Sequence, residues 1–353
     1  MRVSALAGDM LRSLVIVKPA VSDTKAVYAF AALTAEAGQL RIETTNGDLQ
    51  IVAELAADVT ATGKVLLPAT VLIDLAGKLV DEHVSIAVEG SEWATIESGE
   101  LLARLRCGDL SAWPQTKTVH GEGGQLGSSE AEAVGRILFA ASADLSHPIL
   151  TGVHFSDGHA VATDRYRIAR IQTGMSGPGG TVPAVTLREI TRRSAEGYRV
   201  EFDDTQASFT SGSRSWTLRL IQGDFPDTAK YFSPTADSTL VFQRAELLQA
   251  VAATEVAREE GGVIHLQRTG PTSVNVQAQH RELGEIQQKV WASGNFSEEI
   301  AFNGKFLREA LDAITEEELT MEITSPSQPV VIRSSDLEQV VLPRRPVARH
   351  GES

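Results

Sequence analysis

The chain contains 353 residues, carries a formal net charge of −14 at pH 7 and has a single cysteine, Cys107. This length exceeds one ordinary hydrophobic core and suits two or three domains. One cysteine excludes an intramolecular disulfide framework and a zinc site built from several thiolates. No run approaches the roughly 18 apolar residues of a membrane helix, and no signal-peptide pattern is present, so we expect a cytoplasmic protein with no membrane partner.

The first third of the chain alternates helix and strand signals. Apolar residues at helical spacing predict a helix over 4–17, which Pro19 ends, and a second helix over 69–79. Alternating runs predict strands over 27–33, 40–44, 49–55, 83–88, 92–96 and 101–106. Asn46-Gly47 between two of these runs predicts a hairpin turn. We therefore expect two helices packed on antiparallel sheet.

The remaining two thirds repeat this order of elements. Their helices are predicted over 129–143, 186–195, 243–258 and 304–314. Two segments rich in turn-forming and polar residues, 117–128 and 232–237, are typical of linkers. We therefore predict three domains and a flexible tail, over 1–118, 127–233, 237–346 and 347–353.

Three sequence landmarks recur about every 115 residues and indicate an internal repeat. An apolar residue followed by Pro or Asn precedes a helix at 67–68, 182–183 and 302–303. A Gly-Asp turn that leads to an aromatic residue and Pro occurs at 108–114 and 223–226. The hairpin turn at 44–49 corresponds to 162–167 and 278–283. Agreement of these landmarks at one period predicts a triplicated α+β fold.

The sequence carries no recognisable catalytic or metal-binding motif. His154 and His159 flank a turn and do not form the helical pair of a zinc site. The segment before Gly63-Lys64 lacks the first glycine of a phosphate loop, and no hydroxyl residue follows it. We therefore predict a protein that is not an enzyme and that has no catalytic residue, metal or cofactor.

Within this triplicated frame, a family resemblance becomes visible. The segments 162–169, 223–227 and 300–307 and the ending Val340-Val341-Leu342-Pro343 resemble the bacterial β sliding clamp, the processivity subunit of DNA polymerase III. The resemblance covers essentially the whole chain. It implies the DNA clamp fold, with three clamp domains per chain and a head-to-tail homodimer that closes a ring of six domains. It also implies a non-catalytic function, which is to encircle double-stranded DNA and tether the replicative polymerase.

The resemblance further implies a hydrophobic pocket for short peptide motifs of the DNA polymerase and the clamp loader. An apolar groove with a few polar orienting groups gives a short peptide its affinity from a small area. The implied pocket residues are Leu150, Thr163, Arg165, Tyr166, Arg167, Ile168, Pro226, Lys230, Tyr231, Pro329, Val340, Val341, Leu342, Pro343 and Arg344. Arg165 and Tyr166 stand where the family commonly has Gly and a smaller or His-like residue.

A DNA ring with helices around its hole requires cations on those helices, even in an acidic protein. The residues expected to face DNA are Lys25, Lys78, Arg136, Arg188, Arg192, Arg193, Lys305 and Arg308. Contacts of this kind are independent of DNA sequence and sensitive to salt. Each position taken singly is also compatible with a solvated helix face.

Two alternative functions remain open from the sequence. A clamp-fold paralogue that acts as a decoy or as an inhibitor-resistance scaffold would keep the fold without efficient loading onto DNA. An enzyme with its site in a cleft between domains would show a pH-dependent activity that a single substitution abolishes.

Overall fold

The computed structural model describes all residues except 80, 116–117, 176, 178, 193–195, 233–235, 237, 258–261, 281, 283 and 345–353. The predicted tail over 347–353 therefore lies outside the described residues. The chain forms two compact units. Unit 1 contains Met1–Ser128, Met175–Val182 and Glu189–Leu220, and unit 2 contains Ser129–Gly174, Pro183–Arg188 and Ile221–Ser353. Among the described helices, none has the length and apolar character needed to cross a bilayer.

In its described residues, the first third has two helices, α1 (Ala7–Val17) and α2 (Ala69–Ala76). Its strands are β1 (Arg2–Leu6), β2 (Phe30–Glu36), β3 (Gln39–Thr45), β4 (Leu49–Ala56), β5 (Asp58–Ala61), β6 (Gly63–Pro68), β7 (His83–Glu89), β8 (Trp93–Ser98) and β9 (Leu101–Arg106). Helix α1 buries Met10, Leu14 and Val17 and packs on α2, β3 and β4. The apolar stripe that predicts the helix is therefore its core-facing side.

The middle third contains helices α3 (Ser128–Ile137) and α4 (Ala184–Thr191). Its strands are β10 (Glu122–Leu126), β11 (Gly152–Ser156), β12 (His159–Thr163), β13 (Arg167–Gln172), β14 (Gly180–Pro183), β15 (Tyr198–Phe202), β16 (Gln206–Ser211) and β17 (Arg214–Arg219). The last third contains α5 (Arg244–Thr254) and α6 (Gly304–Asp312). Its strands are β18 (Ser238–Gln243), β19 (Val263–Gly270), β20 (Ser273–His280), β21 (Gly284–Gly294), β22 (Glu299–Asn303), β23 (Glu318–Ile323), β24 (Val330–Arg333) and β25 (Leu337–Val341).

The beginning of the chain is a strand, and the prediction that the first helix includes residues 4–6 is wrong. Val3 and Ala5 are buried while Leu6 is 41% exposed, so burial there follows the period of two of a strand. Strand β1 pairs antiparallel with both β5 and β7. Backbone pairing to two distant strands therefore overrides the helical spacing that Leu6 shares with Met10.

One strand and two helices also differ from the predictions at their ends. Strand β2 begins only at Phe30, because Ala26–Ala29 forms a 3-10 turn. Helices α3 and α5 end at Ile137 and Thr254 and continue as 3-10 turns over Leu138–Ala140 and Glu255–Ala257. A 3-10 turn keeps apolar residues on the same side of the chain, so the pattern alone places a helix end too late.

Within each unit, one sheet joins strands from two successive thirds of the chain. Unit 1 has sheets of order β5-β1-β7-β8-β9 and β10-β15-β16-β17-β4-β3-β2-β6, and the sheet of unit 2 contains the order β11-β12-β13-β25-β24-β23-β18-β21-β20-β19-β22. Strand β4 pairs with β17, with Leu49 opposite Leu218. Strand β13 pairs with β25, with Arg167 opposite Val341. The prediction of a triplicated α+β fold, with two helices and antiparallel sheet in each third, is confirmed.

Candidate partner-binding pocket

The turn between β12 and β13 is fixed by the side chains of its own residues. The Thr163 hydroxyl donates to the carbonyl of Arg167 at 2.7 Å and accepts from the amide of Arg165 at 3.2 Å. The Asp164 carboxylate accepts from the amides of Tyr166 and Arg167, each at 3.0 Å. Local bonds of this type favour a turn wherever the sequence supplies Thr and Asp at these two positions.

Unit 1 contains the same turn at the position that the repeat predicts. The Thr45 hydroxyl donates to the carbonyl of Leu49 and accepts from the amide of Gly47, both at 3.1 Å. The Asn46 side chain accepts from the amides of Asp48 and Leu49 at 3.0 and 2.8 Å. In the third landmark, residues 281 and 283 lie outside the described residues, and Glu282 donates its amide to His280 Nδ1 at 3.2 Å.

Arg165 adopts a backbone conformation that usually requires glycine. Its φ is +77°, and the corresponding residue in unit 1, Gly47, has a φ of +96°. A side chain at positive φ is strained by about 1 kcal/mol or more relative to glycine. The turn nevertheless holds Arg165 in this conformation. The amide of Arg165 donates to the Thr163 hydroxyl and the amide of Tyr166 donates to the Asp164 carboxylate, so the backbone on both sides of Arg165 is fixed.

A cavity of about 260 Å³ lies against this turn, entirely within unit 2. Its walls are the turn, a segment that begins at Pro226 and the end of β25. The lining residues are Thr163, Arg165, Tyr166, Arg167, Ile168, Pro226, Asp227, Thr228, Lys230, Tyr231, Val340 and Leu342. The pairing of Ile168 with Val340 and the bond of 2.9 Å from the Leu342 amide to the Tyr166 carbonyl bring these distant segments together.

The floor of the cavity is apolar. Ile168 and Val340 belong to a buried cluster whose members are Val161, Ile168, Phe232, Val331 and Val340. Phe225 packs against this cluster, and the His154 ring stacks on Phe225 with the ring centroids 4.7 Å apart. Burial lowers the pKa of His154 below its ordinary value, which favours the neutral ring beside Phe225.

Arg167 ties the turn to the helices of unit 2. Its side chain is 7% exposed and forms ion pairs with Asp164 at 2.9 Å and with Glu309 of α6. It also donates to the carbonyl of Phe139 at 2.6 Å, and its guanidinium carbon lies 4.9 and 4.4 Å from the ring centroids of Phe139 and Phe306. Arg167 therefore supports the pocket through buried contacts as well as contributing to its lining.

Several residues assigned to the pocket from the sequence do not line this cavity. These are Leu150, Pro329, Val341, Pro343 and Arg344. Leu150 and Val341 are buried, and the Arg344 amide donates to the carbonyl of Ala301 at 2.7 Å. Val341 follows Val340 in a strand, and successive side chains of a strand point to opposite faces. Conversely, Asp227 and Thr228 line the cavity although they are absent from the set predicted from the sequence; their only signal is their place between Pro226 and Lys230.

The corresponding face of unit 1 is polar, which restricts the apolar floor to unit 2. The strand positions equivalent to Val161, Ile168, Val331 and Val340 are Glu43, Gln50, Ser208 and Thr217, as the two turns and the two strand junctions align them. The buried Glu43 carboxylate accepts from Gln50 at 2.6 Å and from the Trp113 indole at 3.1 Å. Both units therefore have the same turn and the same strand pairing at this place. The apolar surface is present in unit 2, whereas the equivalent described positions of unit 1 are polar.

The cations expected to face DNA differ in their exposure and in their ion pairs. Lys25, Lys78, Arg188, Arg192, Lys305 and Arg308 are exposed, Arg192 also forms an ion pair of 3.8 Å with Glu189, and Arg193 lies outside the described residues. Arg136 and Arg308 are engaged within unit 2. Arg136 donates to the carbonyl of Ala313 at 2.9 Å and pairs with Asp336. Arg308 lies 2.6 Å from Glu255, and the hydrogen bond and negative charge of Glu255 raise the pKa of Arg308.

Comparison with protein families matches all three thirds of the chain. The models of the N-terminal, central and C-terminal domains of the DNA polymerase III beta subunit match residues 9–113, 127–227 and 232–345. The chain belongs to this family. It is therefore a member of a family of non-catalytic processivity subunits, the beta sliding clamps.

The similar relatives and structures agree with this assignment. The beta sliding clamp of Staphylococcus epidermidis is 26% identical over 334 residues, which are 89% of this chain and 88% of the relative. The DNA polymerase sliding clamp of Bacillus subtilis matches with a TM-score of 0.91 at 22% identity, covering 98% of this chain and 100% of that one. The beta subunit of Streptococcus pyogenes DNA polymerase matches with a TM-score of 0.90 at 23% identity and the same coverage. The structural matches establish the clamp fold.

Proposed function

We propose that this chain is a DNA sliding clamp, a processivity factor that encircles duplex DNA and tethers the replicative polymerase. Membership of the beta-subunit family over all three thirds carries this proposal. The proposed clamp domains are 1–118, 127–233 and 237–346. Because a closed ring holds DNA by topology, weak contacts that ignore the base sequence are sufficient. Neither the decoy nor the enzyme alternative is favoured by any observation on this chain.

The cavity beside Leu342 is the proposed docking site for the polymerase and the clamp loader. It combines an apolar floor with a few polar side chains at its edge, which suits a short peptide motif. Because unit 1 replaces the apolar floor with Glu43, Gln50 and Thr217, we assign one such site to each chain.

A peptide titration tests this docking site. Replacing Leu342 by alanine should weaken a labelled peptide of the Gln-Leu-x-Leu-Phe type by roughly 1–3 kcal/mol, because one apolar side chain loses its burial. Fluorescence anisotropy measures the affinity, and Val185→Ala, at an apolar residue 70% exposed on α4, is the matched control. Equal affinity of Leu342→Ala and the original chain would contradict the assignment, and absence of binding to both would favour the paralogue.

A second measurement addresses the DNA contacts. Neutralising Arg188, Arg192 and Arg193 with glutamine should make the salt dependence of duplex binding shallower, by about 0.9 in the logarithmic slope for each phosphate that is no longer neutralised. Binding of a short duplex is titrated at several salt concentrations. The control replaces three arginines of strands, Arg2, Arg199 and Arg214, and should leave the slope unchanged. An unaltered slope in the helix variant would remove these residues from the DNA-facing set.

The proposed ring closes through two strand edges, one in each unit of the chain. Strand β9 ends its sheet in unit 1, and Leu102 on it is 65% exposed. Strand β21 in unit 2 pairs with β18 only through residues 292–294, which leaves 284–291 without a second neighbour among the described strands. In the repeat, β9 corresponds to β17 and β25, and β21 corresponds to β4 and β13. Pairing β9 with β21 of a second copy would satisfy both edges and produce a head-to-tail dimer.

The two junctions inside the chain predict the register of this pairing. Gln50 lies opposite Thr217, and Ile168 lies opposite Val340. The equivalent residue of β21 is Glu285, since it pairs with Gln279 as Gln50 pairs with Thr45. The equivalent residue of β9 is Arg104, which is the fourth residue of its strand, as Thr217 is of β17 and Val340 is of β25. The register therefore places Glu285 opposite Arg104 of a second copy, an attractive pair.

A further inference from the structure

The mouth of the cavity carries positive charge on a chain whose net charge is −14. Its lining contains three cationic residues, Arg165, Arg167 and Lys230, and one carboxylate, Asp227. Arg167 is neutralised by its ion pairs with Asp164 and Glu309. Among the described residues, no carboxylate forms an ion pair with Arg165 or Lys230, and both side chains are exposed. The mouth therefore presents two cations against one anion.

The position of Arg165 is fixed by the turn that carries it. The Arg165 amide donates to Thr163, and the following amide donates to Asp164, so the backbone has little freedom. In the same turn of unit 1, glycine meets the demand for a positive φ without strain. An arginine here costs stability relative to glycine. Strain of this kind persists at functional positions when the surrounding bonds determine the backbone.

Aromatic side chains flank the two cations. Tyr166 is 57% exposed and Tyr231 is 39% exposed, and both line the cavity. The Lys230 ammonium lies 5.3 Å from the centroid of the Tyr231 ring, which places that cation beside the opening. A peptide that binds on the apolar floor therefore lies close to the exposed rings of Tyr166 and Tyr231 and to the positive charges of Arg165 and Lys230.

We propose that this pocket selects peptides that carry a carboxylate next to their apolar anchor, with Arg165 as the specificity-determining residue and Lys230 in support. The inference rests on the proposed function, because it requires that the cavity receives partner peptides. Charge complementarity selects this partner: the acidic surface of the chain repels an acidic peptide elsewhere, and the mouth attracts it. Because the cations are exposed, the contribution of one carboxylate should be a preference of about three- to fivefold.

The experiment compares peptides that differ only in whether one side chain is a charged carboxylate (Asp) or a neutral carboxamide (Asn). Labelled Gln-Leu-Asp-Leu-Phe and Gln-Leu-Asn-Leu-Phe are titrated by fluorescence anisotropy, together with Asp and Asn pairs placed directly before and directly after the motif. The original chain should bind at least one Asp peptide about three- to fivefold more tightly than its Asn partner, and less so as salt increases. Arg165→Lys should retain the preference, whereas Arg165→Gln and Arg165→Gly should lose it, so that each of these two variants binds its Asp and Asn peptides with equal affinity.

The outcomes separate this inference from the proposed function. Equal affinity for Asp and Asn peptides at all three positions, with binding still weakened in Leu342→Ala, would overturn the role of Arg165 and leave the docking site in place. A preference that survives in Arg165→Gln and Arg165→Gly would also overturn it. Absence of binding by the original chain to every peptide would overturn the docking site and the inference together.

Discussion

Replacing Arg167 by methionine should lower the free energy of unfolding by about 3 kcal/mol. Breaking a buried ion pair by removing one partner costs about 3–5 kcal/mol, and the lower value applies here because Glu309 is 32% exposed. The substitution also removes the hydrogen bond to the Phe139 carbonyl and the contact of the guanidinium with the ring of Phe306. Chemical denaturation followed by circular dichroism measures the change.

A matched control exists two residues away. Arg165→Met removes an exposed guanidinium from the same turn and should change stability by no more than about 0.5 kcal/mol. A double-mutant cycle of Arg167→Met with Glu309→Gln isolates the pair, because the carboxamide keeps the shape of Glu309 and removes its charge. Similar stabilities for Arg167→Met and Arg165→Met would show that the buried network contributes little and would contradict the supporting role of Arg167.

Reversing the charge of Arg104 should separate the proposed dimer into single chains. Arg104→Glu would place two carboxylates opposite each other in the proposed register, and juxtaposed like charges cost several kcal/mol. A head-to-tail ring contains this contact twice, once in each interface. Sedimentation velocity over a range of concentrations should show an increase in the dimer dissociation constant of at least about a hundredfold, which corresponds to about 3 kcal/mol.

The compensating variant makes the register itself testable. Combining Arg104→Glu with Glu285→Arg restores opposite charges and should restore the dimer, whereas Glu285→Arg alone should weaken it. Arg199→Glu, at an exposed strand residue of unit 1, serves as the control. If the double variant stays monomeric while Arg104→Glu also dissociates, the two edges would pair in another register. A dimer that tolerates all three variants would exclude the β9 and β21 edges as the interface.

The sequence repeat predicts the turn at the pocket but not the polarity of the strands beside it. The landmark that relates residues 44–49 to 162–167 predicts one turn in two places, and the structure contains it with the same set of hydrogen bonds. The landmark gives no indication that the neighbouring strands differ in polarity, because Glu43 and Val161 lie outside it. A comparison of the strand positions next to the turn would have revealed that difference.

Local chemistry made the turns and the triplication readable from the sequence. Thr163 and Asp164 bond to amides and carbonyls within four residues, so no distant segment is needed to form their turn. The repeated order of helix and strand signals likewise predicted the α+β clamp fold. Each of these features depends on interactions between neighbours along the chain.

Tertiary structure decided the features that depend on distant segments. Residues 4–6 became a strand because β5 and β7 offered backbone partners. Val340 joined the cavity floor and Val341 did not, since the pairing of β25 with β13 and β24 fixed which face each side chain occupies. Arg167 meets Glu309 because α6 packs against the turn, and it meets the carbonyl of Phe139 because the 3-10 turn after α3 does so too. The sequence by itself therefore determined the repeated fold and its turns, while packing across more than a hundred residues determined which side chains meet at the pocket, because such contacts form only once the sheet is assembled.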